Sequence, residues 1–374
     1  MSELHFADNI LKLRHQRKIT QEELADFIGV TKASVSKWET QQSMPDILLL
    51  PVLASFFDVT VDELLGYQPQ LSKEQIQKLY IQLTSKFASE PFEDVMNKVN
   101  ELIKQYYSCY PFLLQMCVLC LNHFVLAPDS HRQSEILNII TELCQHIMNY
   151  CKESSICHDA TVLKSMVDLQ CGRTDEVIEA LEDVLDPYRI QHSESLLIQS
   201  YTLKNENQKA NQFTQMSMYS HLMEFMSLSI QYLVIHIQDL SLCQKTIERL
   251  DQLIDVYHLD YLNPNVIAQF QYQAALISCL HNNQEETLNR LDEYVTLVER
   301  LIKDDQVLLH GDDYFDMIHV YFESSDLGVH PVKNKKLVLQ GAIDALDHPL
   351  FDTISMRQEF QIMKKRLMKE GELL

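Results

Sequence analysis

Glycine is scarce in this sequence, which has 374 residues but only 7 glycines. At the average usage of about 7%, a chain of this length would contain roughly 26. No two of the seven are spaced for a G-x-G-x-x-G or G-x-x-x-x-G-K-[S/T] phosphate loop, which depends on several residues without a Cβ atom. All-β folds also use many glycines in their tight turns. The composition therefore favours an all-α fold and disfavours nucleotide-binding folds built on a glycine loop.

The chain is acidic, with a formal net charge of -22, and 46% of its residues are hydrophobic. That hydrophobic fraction is sufficient for a folded core. The charge is unevenly divided, because residues 1–66 carry six Lys/Arg against ten Asp/Glu, a net charge of -4, and residues 67–374 carry the remaining -18. An acidic surface repels phosphates, so any contact with DNA must come from a local basic patch.

No run of 18 apolar residues occurs, and the N-terminal residues are charged throughout without an apolar signal core. We therefore expect a cytoplasmic protein that has no contact with a membrane. The nine cysteines are an odd number scattered through helical patterns. This distribution predicts free thiols in a reducing compartment rather than a disulfide framework.

Residues 20–39 contain clear helix start and stop signals. A T-x-x-E sequence at Thr20 predicts a capping box and a helix over residues 21–28. Gly29 is placed to end that helix in the left-handed conformation. Thr31 is placed as the N-cap of a further helix over residues 32–39. Two helices joined by a short turn with glycine are typical of a helix-turn-helix.

The predicted helix over residues 32–39 has two distinct faces. Val35 and Trp38 are three residues apart and are expected to point into the core with Val30. The opposite face carries small, polar and basic residues: Lys32, Ala33, Ser36 and Lys37. A helix that enters a DNA major groove needs such a face, free of bulky apolar side chains.

The sequence TQEELADFIGVTKASVSKWE resembles the Cro/C1-type (XRE-like) helix-turn-helix of bacterial and phage repressors. The likeness covers about residues 4–66, because MPDILLLPVLASFFDVTVDELLG is similar to the fourth and fifth helices of that family. A five-helix DNA-binding domain is therefore predicted over residues 1–66, followed by a short linker over residues 67–72. After the glutamate of the third helix, Thr40-Gln41-Gln42 stands where the family often has Asn-Gly-Lys, which weakens the grip of this loop on phosphate.

The resemblance also implies roles for individual residues on double-stranded DNA. It implies that Gln21 touches a phosphate and braces the third helix, and that Arg14 and Glu39 form a structural ion pair. Base edges are expected to meet the polar face of the third helix, and phosphates to meet Ser34 and the loop at 40–43. The full set of predicted DNA contacts is Gln21, Thr31, Lys32, Ala33, Ser34, Ser36, Lys37, Thr40 and Gln41. Because an acidic domain binds DNA weakly as a single copy, we expect a homodimer on half-sites about one helical turn apart.

Residues 73–374 show one helical pattern after another, which suggests an α-helical repeat superhelix. Residues 162–187 resemble a tetratricopeptide repeat with Gly172 at the turn between two helices. Residues 200–213 and 277–291 echo this pattern with asparagine at the turn. The three turn residues suit the left-handed conformation. A non-repeating helical bundle remains the alternative.

No catalytic constellation or cofactor motif is found in the repeat region, so we predict no enzymatic activity, no metal and no cofactor. Cys117 and Cys120 have the spacing of half a zinc site, but no second pair of ligands follows. The pattern favours small buried side chains on a core helix. Met216, Met218, Met223 and Met226 form an apolar stripe that is interpreted either as core or as a pliable partner surface.

A Cro/C1-type domain followed by tetratricopeptide-like helices is similar to the peptide-sensing quorum regulators of Gram-positive bacteria. That resemblance implies that a short peptide binds in the groove of the repeats and changes DNA binding by the dimer. We therefore predict a dimeric, sequence-specific transcriptional regulator that is switched by a ligand whose binding residues are not assigned. The alternatives are a DNA-tethered scaffold whose repeats bind another protein and, least favoured, a fusion of a regulator with an enzyme.

Overall fold

The computed structural model describes residues 5–67, 70–182, 185, 193–303, 310–319, 322 and 335–371. These residues form α-helices joined by turns and short 3-10 segments, with no β-strand among them. The all-α class that scarce glycine predicts is therefore confirmed.

The N-terminal helices have the order and the bounds that the capping signals indicate. They are α1 (Phe6–Gln16), α2 (Gln21–Ile28), α3 (Lys32–Glu39), a 3-10 turn (Ile47–Leu49), α4 (Leu50–Phe57) and α5 (Val61–Leu65). The predicted bounds of α2 and α3 match the observed ones.

The helices after the N-terminal five vary in length from one turn to eight. They are α6 (Lys73–Ser89), α7 (Phe92–Gln105), α8 (Tyr110–His123), a 3-10 turn (Phe124–Leu126), α9 (Ser130–Tyr150), α10 (Ser154–Gln170), α11 (Thr174–Leu181), α12 (Ser193–Leu203), α13 (Asn207–Ile235), α14 (Leu240–Tyr257), α15 (Leu259–Leu262), α16 (Pro264–Leu280), α17 (Gln284–Lys303), α18 (Lys335–Leu346), a 3-10 turn (Pro349–Thr353) and α19 (Gln358–Gly371).

Backbone contacts divide the chain into two compact units. The first unit comprises Met1–Ile76, Phe92–Val118 and Asn138–Met166, and the second comprises Gln77–Pro91, Leu119–Leu137 and Val167–Leu374. The domain boundaries drawn from the sequence, at residues 66 and 72, stay a prediction.

Three helix pairs are joined by the same turn. Gly172, Asn205 and Asn282 have φ angles of 72°, 59° and 60°, as predicted for left-handed residues. In each turn the amide after the left-handed residue donates to a carbonyl five residues earlier, at 2.8 to 2.9 Å. This is the Schellman arrangement, which satisfies carbonyls at the end of a helix. The end of the predicted 162–187 repeat, at residues 183–184 and 186–187, lies outside the described residues.

The N-terminal helices pack around one apolar cluster. Its largest members are fully or almost fully buried: Phe6, Ile10, Leu24, Val35, Trp38, Leu53, Phe57 and Leu64. Val35 and Trp38 face inward from α3, as predicted, which turns the opposite face of that helix outward. Trp38 is the single tryptophan of the chain and is 4% exposed, so its fluorescence reports on this cluster alone.

Side-chain caps hold the starts of α2 and α3. The amide of Glu23 donates to Oγ1 of Thr20 at 3.2 Å, and the amide of Thr20 donates to Oε2 of Glu23 at 2.7 Å. The predicted capping box is therefore confirmed. At the start of α3, the amide of Ser34 donates to Oγ1 of Thr31 at 3.2 Å. Such caps contribute about 1 kcal/mol each, and together they fix the short turn between the two helices.

A carboxylate at the end of α3 joins three helices. Glu39 accepts from Nε of Arg14 at 2.6 Å and from Nη2 of Arg14 at 3.0 Å. It also accepts from Nε2 of Gln21 at 2.8 Å, and Nη1 of Arg14 donates to the carbonyl of Ile19 at 2.9 Å. The side chains of Arg14 and Glu39 are only 10% and 4% exposed. Because a carboxylate at a helix C-terminus opposes the helix dipole, Glu39 depends on these donors.

The donors around Glu39 also set its protonation. Burial alone raises the pKa of Glu39, but the hydrogen bonds from Arg14 and Gln21 together with the charges of Arg14 and His15 lower it by more. The net pKa lies below the ordinary value of a glutamate. The carboxylate is therefore ionised throughout the neutral and mildly acidic range.

The end of α3 carries a residue in an unfavourable conformation. Gln41 has a φ of 60°, and its amide donates to the carbonyl of Trp38 at 3.3 Å. The next amide, of Gln42, donates to the carbonyl of Lys37 at 2.9 Å. This is again a Schellman turn, with glutamine in the position that glycine usually takes. The loop therefore keeps the conformation that a glycine would favour, at the cost of left-handed strain in a residue with a Cβ atom.

We expect Glu39→Gln to lower the free energy of unfolding of the N-terminal domain by about 2–3 kcal/mol, because Arg14 is left as a largely buried charge while the amide retains part of the hydrogen bonding. Urea unfolding followed by Trp38 fluorescence measures this. The matched control is Glu22→Gln, since Glu22 is an exposed carboxylate and its loss should cost less than about 0.5 kcal/mol.

The same comparison should depend on pH. Since the folded pKa of Glu39 is depressed, its contribution is complete above the unfolded pKa of about 4.3 and is lost as the pH falls through the folded pKa. The stability difference between wild type and Glu39→Gln should therefore shrink on acidification from pH 6. A difference that stayed constant down to the lowest pH of the native state would contradict the ion-pair explanation.

We expect Gln41→Gly to stabilise the N-terminal domain. Relief of the left-handed strain is worth roughly 1–2 kcal/mol, and the added freedom of glycine in the unfolded chain costs about 0.4–1 kcal/mol, which leaves a net gain of about 0.5–1 kcal/mol. Gln42→Gly is the control, because Gln42 does not have a positive φ and should lose stability. The idea fails if Gln41→Gly unfolds at a lower urea concentration than wild type in the Trp38 signal.

Candidate nucleic-acid interface and ligand cleft

The outward face of α3 is polar and basic. Lys32, Ala33 and Lys37 are exposed, and Ser34 and Ser36 are half-buried beside them. At the start of the helix, the hydroxyls of Thr31 and Ser34 lie 2.9 Å apart and bond to each other. The first backbone amides of a helix are suited to bind a phosphate oxygen. The start of α3 therefore offers two hydroxyls, backbone amides and Lys32 on one surface.

A carboxylate from α2 lies beside this basic face. Nζ of Lys32 is 3.3 Å from Oε2 of Glu22, and both side chains are largely exposed. Exposed ion pairs of this kind contribute little to stability. Glu22 does, however, place a negative charge where phosphates would approach. The sequence pattern did not reveal this pair, because the two residues lie on different helices and ten positions apart.

The residues predicted at the edges of the interface are held by contacts within the domain. Gln21 is half-buried and its amide donates to Glu39, so in this structure it acts as a brace for α3. Oγ1 of Thr40 donates to the carbonyl of Ser36 at 2.8 Å. Thr40 and the left-handed Gln41 are both exposed just after α3. The loop therefore presents a fixed backbone next to Lys37.

Several large apolar side chains are exposed after this loop, which sequence reasoning missed. They are Met44, Ile47, Leu48 and Val52. The sequence analysis placed ILLLPV in the segment similar to the fourth and fifth helices and did not predict that these side chains are exposed. A run of consecutive apolar residues cannot all be buried on one side of a helix, and that signal could have identified them.

A cleft with a volume of about 780 Å³ lies among α14, α15, α16 and α17. Three apolar side chains contribute to its lining: Ile254, Ile267 and Leu297. Six carboxylates and two guanidinium groups also line it: Asp251, Asp255, Asp260, Glu286, Asp292 and Glu293 with Arg290 and Arg300. The balance of charge in the cleft is therefore negative.

Arg290 is held at the centre of the cleft. Its Nη1 and Nη2 each lie 2.7 Å from an oxygen of Asp251, its Nε lies 2.7 Å from Oε1 of Glu286, and Nη1 also donates to Oε1 of Gln271 at 3.0 Å. Burial raises the pKa of Glu293. The charge of Arg290 lowers this pKa, and the charges of Asp251 and Glu286 act in the same direction as burial. Arg290 is thus fixed by its partners, and carboxylates remain the dominant groups of the cleft.

The remaining sequence predictions concern metals, thiols and membranes. Among the described residues, no group of three His, Cys, Asp or Glu side chains is arranged to hold a metal ion. Cys117 and Cys120 are buried in α8, and all nine cysteines are free thiols, as predicted. No helix in the described part of the chain is both long and apolar enough to span a bilayer.

Comparison with known proteins gives matches to the N-terminal helices. A helix-turn-helix family model matches residues 10–64. The chain is 36% identical over 63 residues to the HTH-type transcriptional activator BcrR of Enterococcus faecalis, which covers 17% of this chain and 31% of BcrR. It is 36% identical over 61 residues to the uncharacterized HTH-type transcriptional regulator YobD of Bacillus subtilis, which covers 16% of this chain and 54% of YobD. The matched segment thus spans about a third to a half of the length of these relatives.

A solved structure is similar over a longer part of the chain but at lower sequence identity. It is PlcR of Bacillus thuringiensis in complex with the peptide PapR7 and DNA, with 15% identity, a TM-score of 0.31 and coverage of 79% of this chain and 95% of PlcR.

The family match and the observed geometry agree over the same residues. The capped helices α2 and α3, the left-handed Gly29 between them and the inward Trp38 are the parts of a helix-turn-helix. Residues 10–64 of this chain therefore form a helix-turn-helix domain of the Cro/C1 type.

Proposed function

We propose that this chain is a sequence-specific DNA-binding transcriptional regulator that acts in the cytoplasm, without enzymatic activity, by placing α3 in the major groove of double-stranded DNA. The observation that carries this proposal is the exposed polar face of α3, with Lys32 and Lys37 at its two ends. The relatives that match the same segment are described as HTH-type transcriptional regulators, which supports the proposal.

The proposed contacts follow from where each side chain lies. The exposed residues Lys32, Ala33 and Lys37, with the half-buried Ser36, are proposed to meet base edges. A second group is proposed to hold phosphates and position the helix: Gln21, Thr31, Ser34, Thr40 and Gln41. All four proposed base contacts thus come from α3, whereas the proposed phosphate contacts also come from α2 and from the residues before and after α3.

Charge limits how tightly one domain can bind. Affinity for DNA depends largely on the phosphates that are neutralised, and residues 1–66 have a net charge of -4. The basic face of α3 must therefore act locally, against an acidic background. Two copies on paired half-sites would add their contacts, and we propose a homodimer for this reason.

We expect DNA affinity to follow the charge of the α3 surface. Lys32→Ala and Lys37→Ala should each weaken binding about tenfold, within the range of about 1–3 kcal/mol for a lost contact. Glu22→Gln should tighten binding several-fold, because it removes a negative charge and releases Lys32 from its ion pair. Fluorescence anisotropy with the duplex upstream of its own gene, at a series of salt concentrations, measures these effects.

The control for Glu22→Gln is Asp62→Asn, an exposed carboxylate on α5. This change removes the same charge away from α3 and should have a much smaller effect. If both lysine variants bound as wild type while Trp38 fluorescence showed a folded domain, α3 would not be the DNA-reading helix.

We also propose that a ligand bound in the helical-repeat region switches DNA binding, and that this ligand is a short peptide that occupies the α14–α17 cleft. The volume of the cleft lies within the usual range for small-ligand sites of about 300–1,000 Å³. Its excess of carboxylates over guanidinium groups favours a ligand that carries positive charge. Ile254 and Leu297, which line the cleft, would contact the side chains of such a peptide.

We expect heptapeptides that contain two lysines to raise the thermal stability of the full chain, and matched heptapeptides with two glutamates to have no effect. Asp255→Asn with Glu293→Gln should remove the response, since both carboxylates line the cleft. Glu248→Gln, on the exposed side of α14, is the control and should respond as wild type does. If neither peptide series altered thermal stability or DNA affinity, the repeats would be better explained as a scaffold that binds another protein.

A further inference from the structure

A row of exposed apolar side chains follows one side of α13. These five residues, here called the α13 stripe, are between 39% and 74% exposed: Met218, Phe225, Leu228, Tyr232 and Ile235. With His221, they are separated by three and four residues in alternation. That is the a/d spacing of a heptad repeat, which packs against another helix as knobs into holes.

The opposite side of α13 is already occupied by the core. Tyr219, Met226, Ile230 and Leu233 are buried there. The methionine pattern that the sequence left open is divided between the two sides, because Met226 is buried and Met218 belongs to the α13 stripe. The core therefore accounts for one side of α13, and the five residues of the stripe stay exposed on the other.

The stripe is also nearly free of charge. Between residues 218 and 235 the only charged side chain is Glu224, although 22% of the residues of this protein are charged and its net charge is -22. Carboxylates that could match a basic partner are few here: Glu224, and Glu194 of α12, which already lies 2.8 Å from Nε2 of His221. Two acidic copies of the same chain repel each other. This repulsion is smallest where the two contacting faces carry little charge, as the stripes do. Charge complementarity thus favours a second copy of this chain as the occupant.

We infer that α13 is a homodimer interface in which the α13 stripe of one copy packs against the same stripe of a second copy in antiparallel orientation. A twofold axis between Phe225 and Leu228 brings Phe225 of each copy against Leu228 of the other. The same axis brings Met218 against Ile235. Glu224 then lies opposite Ser229, so the two carboxylates do not face each other. The contact is isologous, as is usual for a twofold dimer.

The area available is of the order that a dimer needs. Aromatic side chains bury about 150–250 Å² when fully covered, so Phe225 and Tyr232, roughly half exposed, offer about 100 Å² each. With the exposed parts of Met218, Leu228 and Ile235, the stripe offers on the order of 500 Å² per copy, against about 800 Å² per partner in a standard interface. Leu196 and Leu203 of α12, which packs beside α13, are also exposed and extend the apolar area.

The oligomeric state of the full chain without DNA tests this interface. We expect light scattering coupled to size-exclusion chromatography to show a dimer for wild type at micromolar concentration. Phe225→Glu and Leu228→Glu should each weaken dimerisation at least tenfold, because each places two carboxylates in the contact. Val234→Glu is the matched control: Val234 is exposed on the same helix but outside the stripe, and this variant should remain dimeric.

A charge-pair variant tests the antiparallel register. In Phe225→Lys with Leu228→Glu, the proposed register places lysine against glutamate twice, so dimerisation should recover relative to Leu228→Glu. Recovery supports the register, and no recovery overturns it. A monomeric wild type, or Phe225→Glu and Leu228→Glu variants that stay as dimeric as Val234→Glu, would overturn the interface. Circular dichroism confirms that each variant is folded.

The interface rests on the proposed function only for its role, which is to bring two DNA-binding domains together. The two proposals fail separately. A dimer that depends on the α13 stripe but does not bind DNA would remove the function and keep the interface. If DNA binding depended on Lys32 and Lys37 but the stripe variants remained dimeric, the proposed function would stand and the interface would fail.

Discussion

The position of α3 depends on one buried carboxylate. Glu39 stands at the end of that helix, where the helix dipole makes a negative charge unfavourable, and donors from α1 and α2 offset this cost. The same contacts tie the helix to its two neighbours. A surface that reads DNA has to be held within a fraction of an ångström, and this domain achieves that with a brace on the side of α3 that faces away from the solvent.

The parts of the fold that were predicted correctly depend on signals within a few residues. The bounds of α2 follow from Thr20, Glu23 and Gly29, which act on the nearest turn of backbone. The turns at Asn205 and Asn282 were identified for the same reason. Contacts between residues far apart in sequence were not predicted. Nothing near Lys32 in the sequence indicates that Glu22 reaches it, and periodicity alone did not show which side of α13 the core covers.

Gln41, just after α3, has a left-handed backbone although it is not a glycine. The family often has glycine at this position, and the sequence alone indicates only that a glycine is missing. The structure shows that Gln41 adopts the left-handed conformation and that the hydrogen bonds to Lys37 and Trp38 form. A glutamine in this conformation carries strain that a glycine would not, and it presents a side chain beside Lys37.

The two apolar sides of α13 have a consequence for how the protein responds to its own abundance. A helix covered on one side leaves part of its hydrophobic stabilisation unrealised until a second surface arrives. When that surface is another copy, stability follows mass action and rises with protein concentration. A freshly made chain at low copy number would be both less stable and less able to occupy paired sites. The rate of synthesis would then set both the stability of the chain and the occupancy of its paired DNA sites, and the amount of protein itself would become a signal.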